Sequence, residues 1–266
     1  MKLFGLVGGC IALALAQAGF GAVIFSDDFE SYSAGPFIGT VNWTVSTDGG
    51  AGVDVTGNAS ALGGGAQGMT LTDVSNAFGG GTLPRLDFGL APYPVASPLF
   101  VQFDLLHNSG VRNAGFQVRG GTGLNLHTAN LSGEVQYNDG GGFSNLGTML
   151  SDGQWYRFTI SVDPANSATD RWDLRIQSLL DSSVDDSYAN LDFQNNLGSF
   201  DSIRFHFNQN NNFGSVTSFT IDNFLVADSL ADLNFATVPE PGTWVSFAIL
   251  GLVVLGWRRR RPSSSQ

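Results

Sequence analysis

The feature that most constrains this chain is an alternation of apolar and polar residues with a period of two, which recurs between residues 25 and 228. From Trp155 to Asp163, for example, every second side chain after the tryptophan is apolar and the intervening ones are polar. Successive side chains of a strand point to opposite faces, so this pattern predicts a strand with one buried and one wet face. No segment in this range sustains a helical period.

Four further segments alternate in the same way: Val101–Leu105, Phe116–Arg119, Arg171–Ile176 and Ile203–Phe207. Clusters of Gly, Asn and Asp separate the strands, such as Asp139–Gly142 and Asn208–Asn212, and are typical of turns. Five one-sided strands require two sheets packed face to face. The predicted fold is therefore all-β, a two-sheet antiparallel sandwich over residues 23–228, with no internal repeat and no internal linker.

Composition and charge agree with a folded domain and exclude one class of partner. Apolar residues make up 42% and charged residues only 13% of the chain, which excludes an acidic disordered protein. Between residues 19 and 239 there are seven Arg, 22 acidic residues and no Lys. Phosphate backbones are bound by clustered cations, so we expect no nucleic-acid partner.

The N-terminus has the layout of a secretory signal peptide. Met1-Lys2 is a short basic start, an apolar run follows, and Ala16-Gln17-Ala18 places small residues where a signal peptidase reads. Cleavage is predicted after Ala18, giving a signal peptide of residues 1–18, or as late as residue 22. The one cysteine, Cys10, lies in the apolar run, so the mature body is predicted to contain no thiol or disulfide.

The C-terminus combines three parts after a linker at residues 229–237: a Pro-Glu-Pro triplet, the apolar run 244–257 and a basic cluster, followed by a disordered stub at 262–266. The apolar run is predicted to be a single transmembrane helix, and the positive-inside rule keeps the basic cluster cytoplasmic and the body outside. The residues concerned are Pro239, Glu240 and Pro241, with Arg258, Arg259, Arg260 and Arg261.

Residues 238–261 thereby resemble the PEP-CTERM sorting domain. That resemblance implies recognition by an exosortase, a membrane-bound protease of Gram-negative bacteria that make exopolysaccharide, with cleavage near the Pro-Glu-Pro triplet. The expected route is export across the inner membrane, transient anchoring by the tail, and a final place at the cell surface or outside the cell.

Three segments of the body, Phe25–Tyr32, Gly153–Ile160 and Phe219–Val226, resemble concanavalin A-like (laminin G-like) jelly rolls. The resemblance implies a body that binds glycans or proteins, with the first and last strands side by side. It further implies a structural Ca²⁺ held by Asp28 or Glu30 together with Asp222. A β-bulge at Asp222, where the alternation changes phase, is the alternative reading of that position.

Known catalytic patterns are missing from the sequence. The hydrolase branch of these jelly rolls uses a Glu-x-Asp-x-Glu strand, and Glu30, Glu134 and Glu240 are not spaced in that way. There is no zinc motif and no nucleophile elbow, and the histidines are isolated, each expected on a solvated strand or loop: His107, His127 and His206. We predict a protein that is not an enzyme. The alternative is a glycan-active hydrolase or lyase with an Asp-centred site.

Glycan contact is assigned to aromatic stacking platforms and amide side chains: Trp43, Tyr137, Trp155 and Asn210. For two of them a buried position is the competing reading: Trp43 lies between Val41 and Val45 in a plausible buried row, and Trp155 can pack under a loop. The predicted function is an exported surface or matrix protein associated with exopolysaccharide, processed by signal peptidase and exosortase.

Overall fold

The structure is a computed structural model, and it describes residues 22–47, 52–60, 65–73, 84–108, 114–120, 123–129, 133–162, 171–181, 183–195, 198–207 and 217–233. Within these ranges the chain forms strands and a single 3-10 turn. The all-β prediction is confirmed. The signal peptide, the Pro-Glu-Pro triplet, the apolar run 244–257 and the basic cluster all lie outside these ranges. No helix within them is long and apolar enough to cross a membrane.

Sheet A contains nine strands. They are β1 (Val23–Asp27), β2 (Gly35–Pro36), β4 (Gly52–Thr56), β5 (Gly68–Asp73), β7 (Leu99–His107), β12 (Trp155–Val162), β13 (Arg171–Ser178), β14 (Asp185–Asp192) and β16 (Thr217–Ala227). Their order is β14-β13-β12-β7-β16-β5-β4-β2, and β1 pairs with β16 outside this path.

Sheet B contains the other seven strands. They are β3 (Trp43–Ser46), β6 (Arg85–Pro94), β8 (Ala114–Arg119), β9 (Leu124–Ala129), β10 (Glu134–Asn138), β11 (Phe143–Met149) and β15 (Ser199–Phe207). Their order is β11-β10-β9-β8-β15-β6-β3, and all pairs in both sheets are antiparallel.

Apolar residues at alternate positions fill the space between the two sheets, as the sequence pattern predicts. Phe103 of sheet A stacks on Phe158 of the same sheet at a centroid distance of 5.3 Å. It also meets Phe116 and Phe205 of sheet B at 4.8 and 4.9 Å. Such aromatic contacts tie the two layers together and dominate the energy of a core of this kind.

The predicted turn at Asp139–Gly142 is confirmed as the hairpin between β10 and β11. The Asp139 N–H donates to the carbonyl of Gly142 over 3.2 Å. Gly140 and Gly142 both have a positive φ, in a region of backbone conformation that only glycine adopts readily. The turn therefore needs glycine at both places.

One strand departs from the predicted one-sided pattern. In β7 the polar residues Gln102 and Asp104 are 6% and 0% exposed, although they face away from the sandwich core. Ser60 covers Asp104, and its hydroxyl donates to the Asp104 carboxylate over 2.8 Å. The alternation indicates the correct face for each side chain, but it does not reveal that a loop covers the polar face.

Strand β16 changes partner along its length. Residues 217–221 pair with β5, and residues 224–227 pair with β1 on the same edge. The pairing with β7 shifts register between Asp222 and Leu225, and Asn223 has a positive φ. The alternative reading of Asp222, a bulge, is therefore present, and the first and last strands lie side by side as the resemblance implies.

The segment that follows β16 packs against sheet A. Leu230–Leu233 form a 3-10 turn, and Leu233 is 4% exposed against Phe100, Leu225 and Ala227. The first part of the predicted linker at 229–237 thus belongs to the folded body.

Candidate functional site

The opening segment Phe25–Tyr32 organises one end of the sandwich around Asp27. One carboxylate oxygen of Asp27 accepts the Tyr32 hydroxyl at 2.6 Å and the Trp43 indole N–H at 2.8 Å. The other accepts the Phe29 N–H at 2.9 Å. The Trp43 ring is 1% exposed and packs on Phe224 at 5.1 Å. A glycan cannot stack on this ring, so the predicted platform at Trp43 is corrected to a core position.

The other predicted aromatic contacts are also withdrawn from solvent. Trp155 is 7% exposed. Tyr137 is half-buried on the same side of its strand as the core residue Val135, with its ring edge-to-face on Trp172 at 6.3 Å. Asn210 lies outside the described residues. None of the three aromatic predictions provides an exposed ring.

The residues predicted for calcium occupy different environments. Asp28 is exposed, and its carboxylate accepts the Glu30 N–H. Glu30 Oε1 accepts the backbone N–H groups of Ala66 and Gln67, both at 2.7 Å. Asp222 is 1% exposed. Burial raises the pKa of Asp222 to about 7, and the negative charge of Glu30 acts in the same direction. Although their surroundings differ, Glu30 therefore lies close enough to Asp222 for its charge to act on the Asp222 carboxyl group.

Two carboxylates lie opposite each other on the outer side of sheet A. Asp104 and Asp222 are direct partners in the β7–β16 register, and Ser60 binds both, through its hydroxyl at 2.8 Å and its N–H at 2.7 Å respectively. Arg157 holds Asp104 in a bidentate pair at 2.7 and 2.9 Å, and Asn223 Nδ2 donates to the same carboxylate. Both carboxylates are closed to solvent, so this pair offers no access to a substrate.

A groove of about 650 Å³ crosses the outer face of sheet A over β12, β13 and β14. Its polar lining includes Gln102, Arg157, Thr159, Asp173, Arg175 and Gln177. Both of these guanidinium groups are already paired within the protein, Arg157 with Asp104 and Arg175 with Asp185 at 2.9 Å. The groove is thus lined by polar groups, and carboxylates balance the charges of both arginines.

The outer face of sheet B carries a different set of side chains, which we call the arginine face: Arg85, Asp87, Gln117, Arg119, Arg204 and His206. They project from β6, β15 and β8, which are adjacent strands. Arg204 lies opposite both Asp87 and Gln117 in the register, His206 lies opposite Arg85, and Arg119 lies opposite Ser202. Three of the seven arginines of the body therefore gather on one sheet face.

The charged groups of this face interact with one another. Arg204 binds Asp87 through Nε at 2.5 Å and Nη2 at 3.1 Å. Burial lowers the pKa of Arg119, and the positive charges of Arg204 and Arg85 lower it further, whereas Asp87 and Asp201 act against this.

Two buried acceptor atoms accompany the arginines. His206 Nδ1 lies 3.0 Å from the carbonyl of Phe207 and must donate to it, so Nε2 carries the lone pair in the neutral ring. Asn125, opposite Gln117 on β9, donates through Nδ2 to Gln194. In the part of the chain that the structure describes, neither His206 Nε2 nor Asn125 Oδ1 has a hydrogen-bond partner.

Two of the three histidines, His107 and His206, are not solvated, contrary to expectation. His107 is 1% and His206 is 6% exposed, and burial lowers their pKa values to about 3 and about 4. His127 lies in β9, and its side chain is outside the described part of the structure. The polar alternation placed His206 on the outer face correctly, but its neighbours across the sheet enclose it.

Residues 237–261 match the family described as PEP-CTERM protein-sorting motif, which confirms the predicted resemblance. The body is similar to solved jelly-roll structures. One is an endo-β-1,4-glucuronan lyase from the fungus Trichoderma reesei, with TM-score 0.54, 12% identity, and 80% of this chain and 98% of that chain covered. Another is lectin II from Ulex europaeus, with TM-score 0.50, 10% identity, and coverage of 78% and 100%. These likenesses establish the fold alone. No curated protein matches this chain.

Proposed function

We propose that this protein is an exosortase substrate whose jelly-roll body is delivered outside the cytoplasm to bind exopolysaccharide. The sorting motif at residues 237–261 supports delivery of the body to the cell surface. In this proposal signal peptidase removes the leader, the tail holds the body at the membrane for a time, and exosortase cleaves near the Pro-Glu-Pro triplet.

We assign glycan binding to the arginine face. The observation that carries this assignment is the concentration of hydrogen-bonding groups on three adjacent strands, with guanidinium donors at Arg85 and Arg119 and an amide at Gln117. Sugars present many hydroxyl groups, which both donate and accept, and a flat bed of planar polar side chains suits them. The groove on sheet A is the competing location; its two arginines are paired with carboxylates, as Arg204 is on the arginine face.

We propose binding without catalysis. A hydrolase with an Asp-centred site needs two neighbouring carboxyl groups that reach the substrate. Among the described residues, one pair that meets the first requirement is Asp104 and Asp222, which are 0% and 1% exposed. Incubation with the bound polysaccharide should yield no new reducing ends and no unsaturated products, and either product would overturn this part of the proposal.

We further propose that Ca²⁺ binds beside β16, with Asp222 and Glu30 as carboxylate ligands. Calcium prefers hard oxygen donors, and its charge would offset the cost of ionising Asp222, whose pKa is raised by burial and by the nearby charges of Asp104 and Glu30. No group of three or more His, Cys, Asp or Glu side chains that could hold a metal occurs among the described residues, so backbone carbonyls would have to complete the shell. Calcium should raise the thermal midpoint of the full chain, and Asp222→Asn should abolish the rise. An equal rise in both proteins would contradict the site.

The sorting step is tested in a producing cell that has an exosortase. Replacing Pro239 and Pro241 by alanine should leave the uncleaved protein in the membrane fraction, whereas the unaltered protein should appear shortened at the surface or in the medium. Deleting the exosortase should give the same retention. Release that is unchanged in both cases would refute exosortase processing.

The glycan step is tested with the full chain in a non-ionic detergent and a panel of neutral and acidic polysaccharides, including exopolysaccharide from the producing bacterium. Affinity electrophoresis should show retarded migration with at least one polymer, and a bound polymer should raise the thermal midpoint. Gln117→Ala should weaken binding, while Gln177→Ala, which alters the sheet A groove, should not. Binding lost only in Gln177→Ala would move the site to the groove.

A further inference from the structure

We infer that the segment that follows Leu233, residues 234–237, lies in the sheet A groove of its own molecule. These residues are outside the described ranges and lead into the sorting motif at 237–261. The inference goes beyond the proposed function, and neither a glycan nor an exosortase is needed to test it. Three observations carry it: where the described chain ends, how long the groove is and what its floor offers.

The described chain ends at one side of the groove. The 3-10 turn Leu230–Leu233 folds over the outer face of sheet A, where Leu233 packs with Phe100 of β7 and Leu225 of β16. Leu230 and Leu233 both line the groove. Leu233 is only 4% exposed, so packing holds the backbone at this point. The segment that follows therefore starts at the β7 side of the groove.

The floor of the groove is a row of side chains that crosses four strands. Gln102 of β7 lies opposite Thr159 of β12. Arg175 of β13 lies opposite both Thr159 and Ser187 of β14. All four line the groove, and with neighbouring strands about 4.8 Å apart the row is about 14 Å long. Four residues of extended chain cover about 13–14 Å, so the segment 234–237 is long enough to reach the edge strand β14.

The row offers hydrogen bonds rather than free charge. Its one charged group, the guanidinium of Arg175, is paired with Asp185. Gln102 is 6% exposed, and its Nε2 donates to Thr159 Oγ1 at 3.0 Å. Gln102 Oε1 has no hydrogen-bond partner among the described residues. A peptide that enters the groove beside Leu233 brings backbone N–H groups, which are the donors that such an oxygen lacks.

The segment 234–237 has the composition that this floor requires. It reads Asn-Phe-Ala-Thr, with no charge and no proline, so it brings no unpaired ion and every residue has an N–H to donate. Phe235 is its one large apolar residue. Leu230 on the wall of the groove is 60% exposed and provides an apolar surface for that ring. The first proline, Pro239, follows only after the segment has reached β14.

Docking has a consequence for the tethered protein. It leaves only residues 238–243 between the β14 edge and the apolar run 244–257, and these residues span at most about 22 Å. The groove is on the outer face of sheet A, whereas the arginine face is on the outer face of sheet B. The tether is therefore held on one side of the sandwich, and the proposed glycan site on the other side stays clear of it.

A disulfide between the segment and the far end of the row tests this position. A Cys10→Ser background contains no other cysteine, and Ser187→Cys and Thr237→Cys are introduced together. Ser187 is exposed on β14, and docking brings Thr237 beside it, within the Cα separation of about 4.4–6.8 Å that a disulfide needs. The full chain is oxidised in detergent and followed by thiol titration and non-reducing gels. We expect an intramolecular disulfide to form in most molecules.

Val23→Cys with Thr237→Cys, in the same background, is the matched control. Val23 is 50% exposed on β1 and lies opposite Ala227, which packs with Leu233. An undocked segment reaches Val23 as easily as it reaches Ser187, whereas a docked segment runs away from it. The control pair should therefore oxidise at least about tenfold more slowly, because docking lowers the effective concentration of one thiol at the other.

A stability measurement checks the same contact without cysteines. Replacing residues 234–237 by Gly-Ser-Gly-Ser keeps the length of the linker but removes Phe235 and the preferred extended backbone. This variant should lose about 2–4 °C in thermal midpoint. The same replacement at residues 263–266, in the C-terminal stub, should leave the midpoint unchanged. Equal midpoints for both variants and the wild type would contradict docking.

The outcomes separate the possible occupants of the groove. A fast disulfide in the Ser187 pair and a slow one in the Val23 pair support docking, and equal rates refute it. A covalent dimer in place of the intramolecular disulfide refutes it as well, because the segment then fills the groove of a second copy. Polysaccharide binding that Gln177→Ala abolishes gives the groove to a glycan and overturns the assignment. If no polysaccharide binds at all, the proposed function fails, while the disulfide rates still decide where the segment lies.

Discussion

Asp222→Asn should change how the stability of the protein depends on pH. Burial raises the pKa of Asp222 from 3.8 to about 7 in the folded protein. A folded-state pKa above the unfolded value means that folding takes up a proton between these limits. The contribution of Asp222 to stability is then fully present below about pH 4 and is lost as pH rises through 7.

The magnitude follows from the two pKa values. At the usual worth of one pKa unit, the interval from 3.8 to about 7 corresponds to roughly 4 kcal/mol. Asparagine cannot ionise, so it removes this dependence. It also loses one of the two acceptors that receive the Ser60 and Asn223 N–H groups. That second loss does not vary with pH, so the readout is the change with pH and not the absolute stability.

The assay is urea denaturation of both proteins in EDTA at several pH values between about 4 and 8. The free energy of unfolding of the wild type, minus that of the variant, should fall by about 4 kcal/mol across this range. Burial lowers the pKa values of His107 and His206, whose contributions run the opposite way, but both proteins share them and they cancel. Asp201→Asn at an exposed site is the control and should show no such trend. A difference that stays constant within about 1 kcal/mol refutes the reasoning.

Three further predictions concern packing, each measured by urea denaturation. Trp43→Phe removes the hydrogen bond to Asp27 and part of a filled core position, so it should cost about 2–4 kcal/mol of unfolding free energy. Leu233→Ala uncovers the outer face of sheet A and should cost about 2–3 kcal/mol, whereas Leu230→Ala, at an exposed residue of the same turn, should cost less than about 1 kcal/mol. Gly120→Ala should be strongly destabilising, because its Cβ would lie 1.8 Å from a backbone carbonyl oxygen, and near-normal stability would contradict the backbone path there.

The sequence predicted the strands well where one face is core and the other is solvent. In β12 the apolar positions are buried and Arg157, Thr159 and Ser161 remain partly exposed, as the alternation required. In β7 the same alternation predicted that Gln102 and Asp104 face solvent, but both are buried. What covers the polar side of a strand comes from loops distant in the chain, and periodicity carries no information about them.

The candidate site could not be read from the sequence for a related reason. Arg85, Arg119 and Arg204 lie far apart along the chain, and only the order β8-β15-β6 makes them neighbours. The pairing of strands that are distant in the sequence must be known before these three arginines can be recognised as neighbours. For the aromatic residues the sequence suggested a site that the fold does not provide. Trp43 has the ring of a sugar platform but also the size of a core residue, and it lies in the core. Its hydrogen bond to Asp27 satisfies the indole inside the sandwich.

The position of β16 has a mechanical consequence for the C-terminal tether that we propose. This strand is internal to sheet A, with β7 on one edge and β5 and β1 on the other. A pulling force applied along β16 loads the hydrogen bonds on both edges in shear, so many bonds share the load and none is opened singly. An edge strand such as β14 would instead peel away bond by bond. The proposed tether would therefore pull on an internal strand of sheet A, which resists being drawn out better than an edge strand.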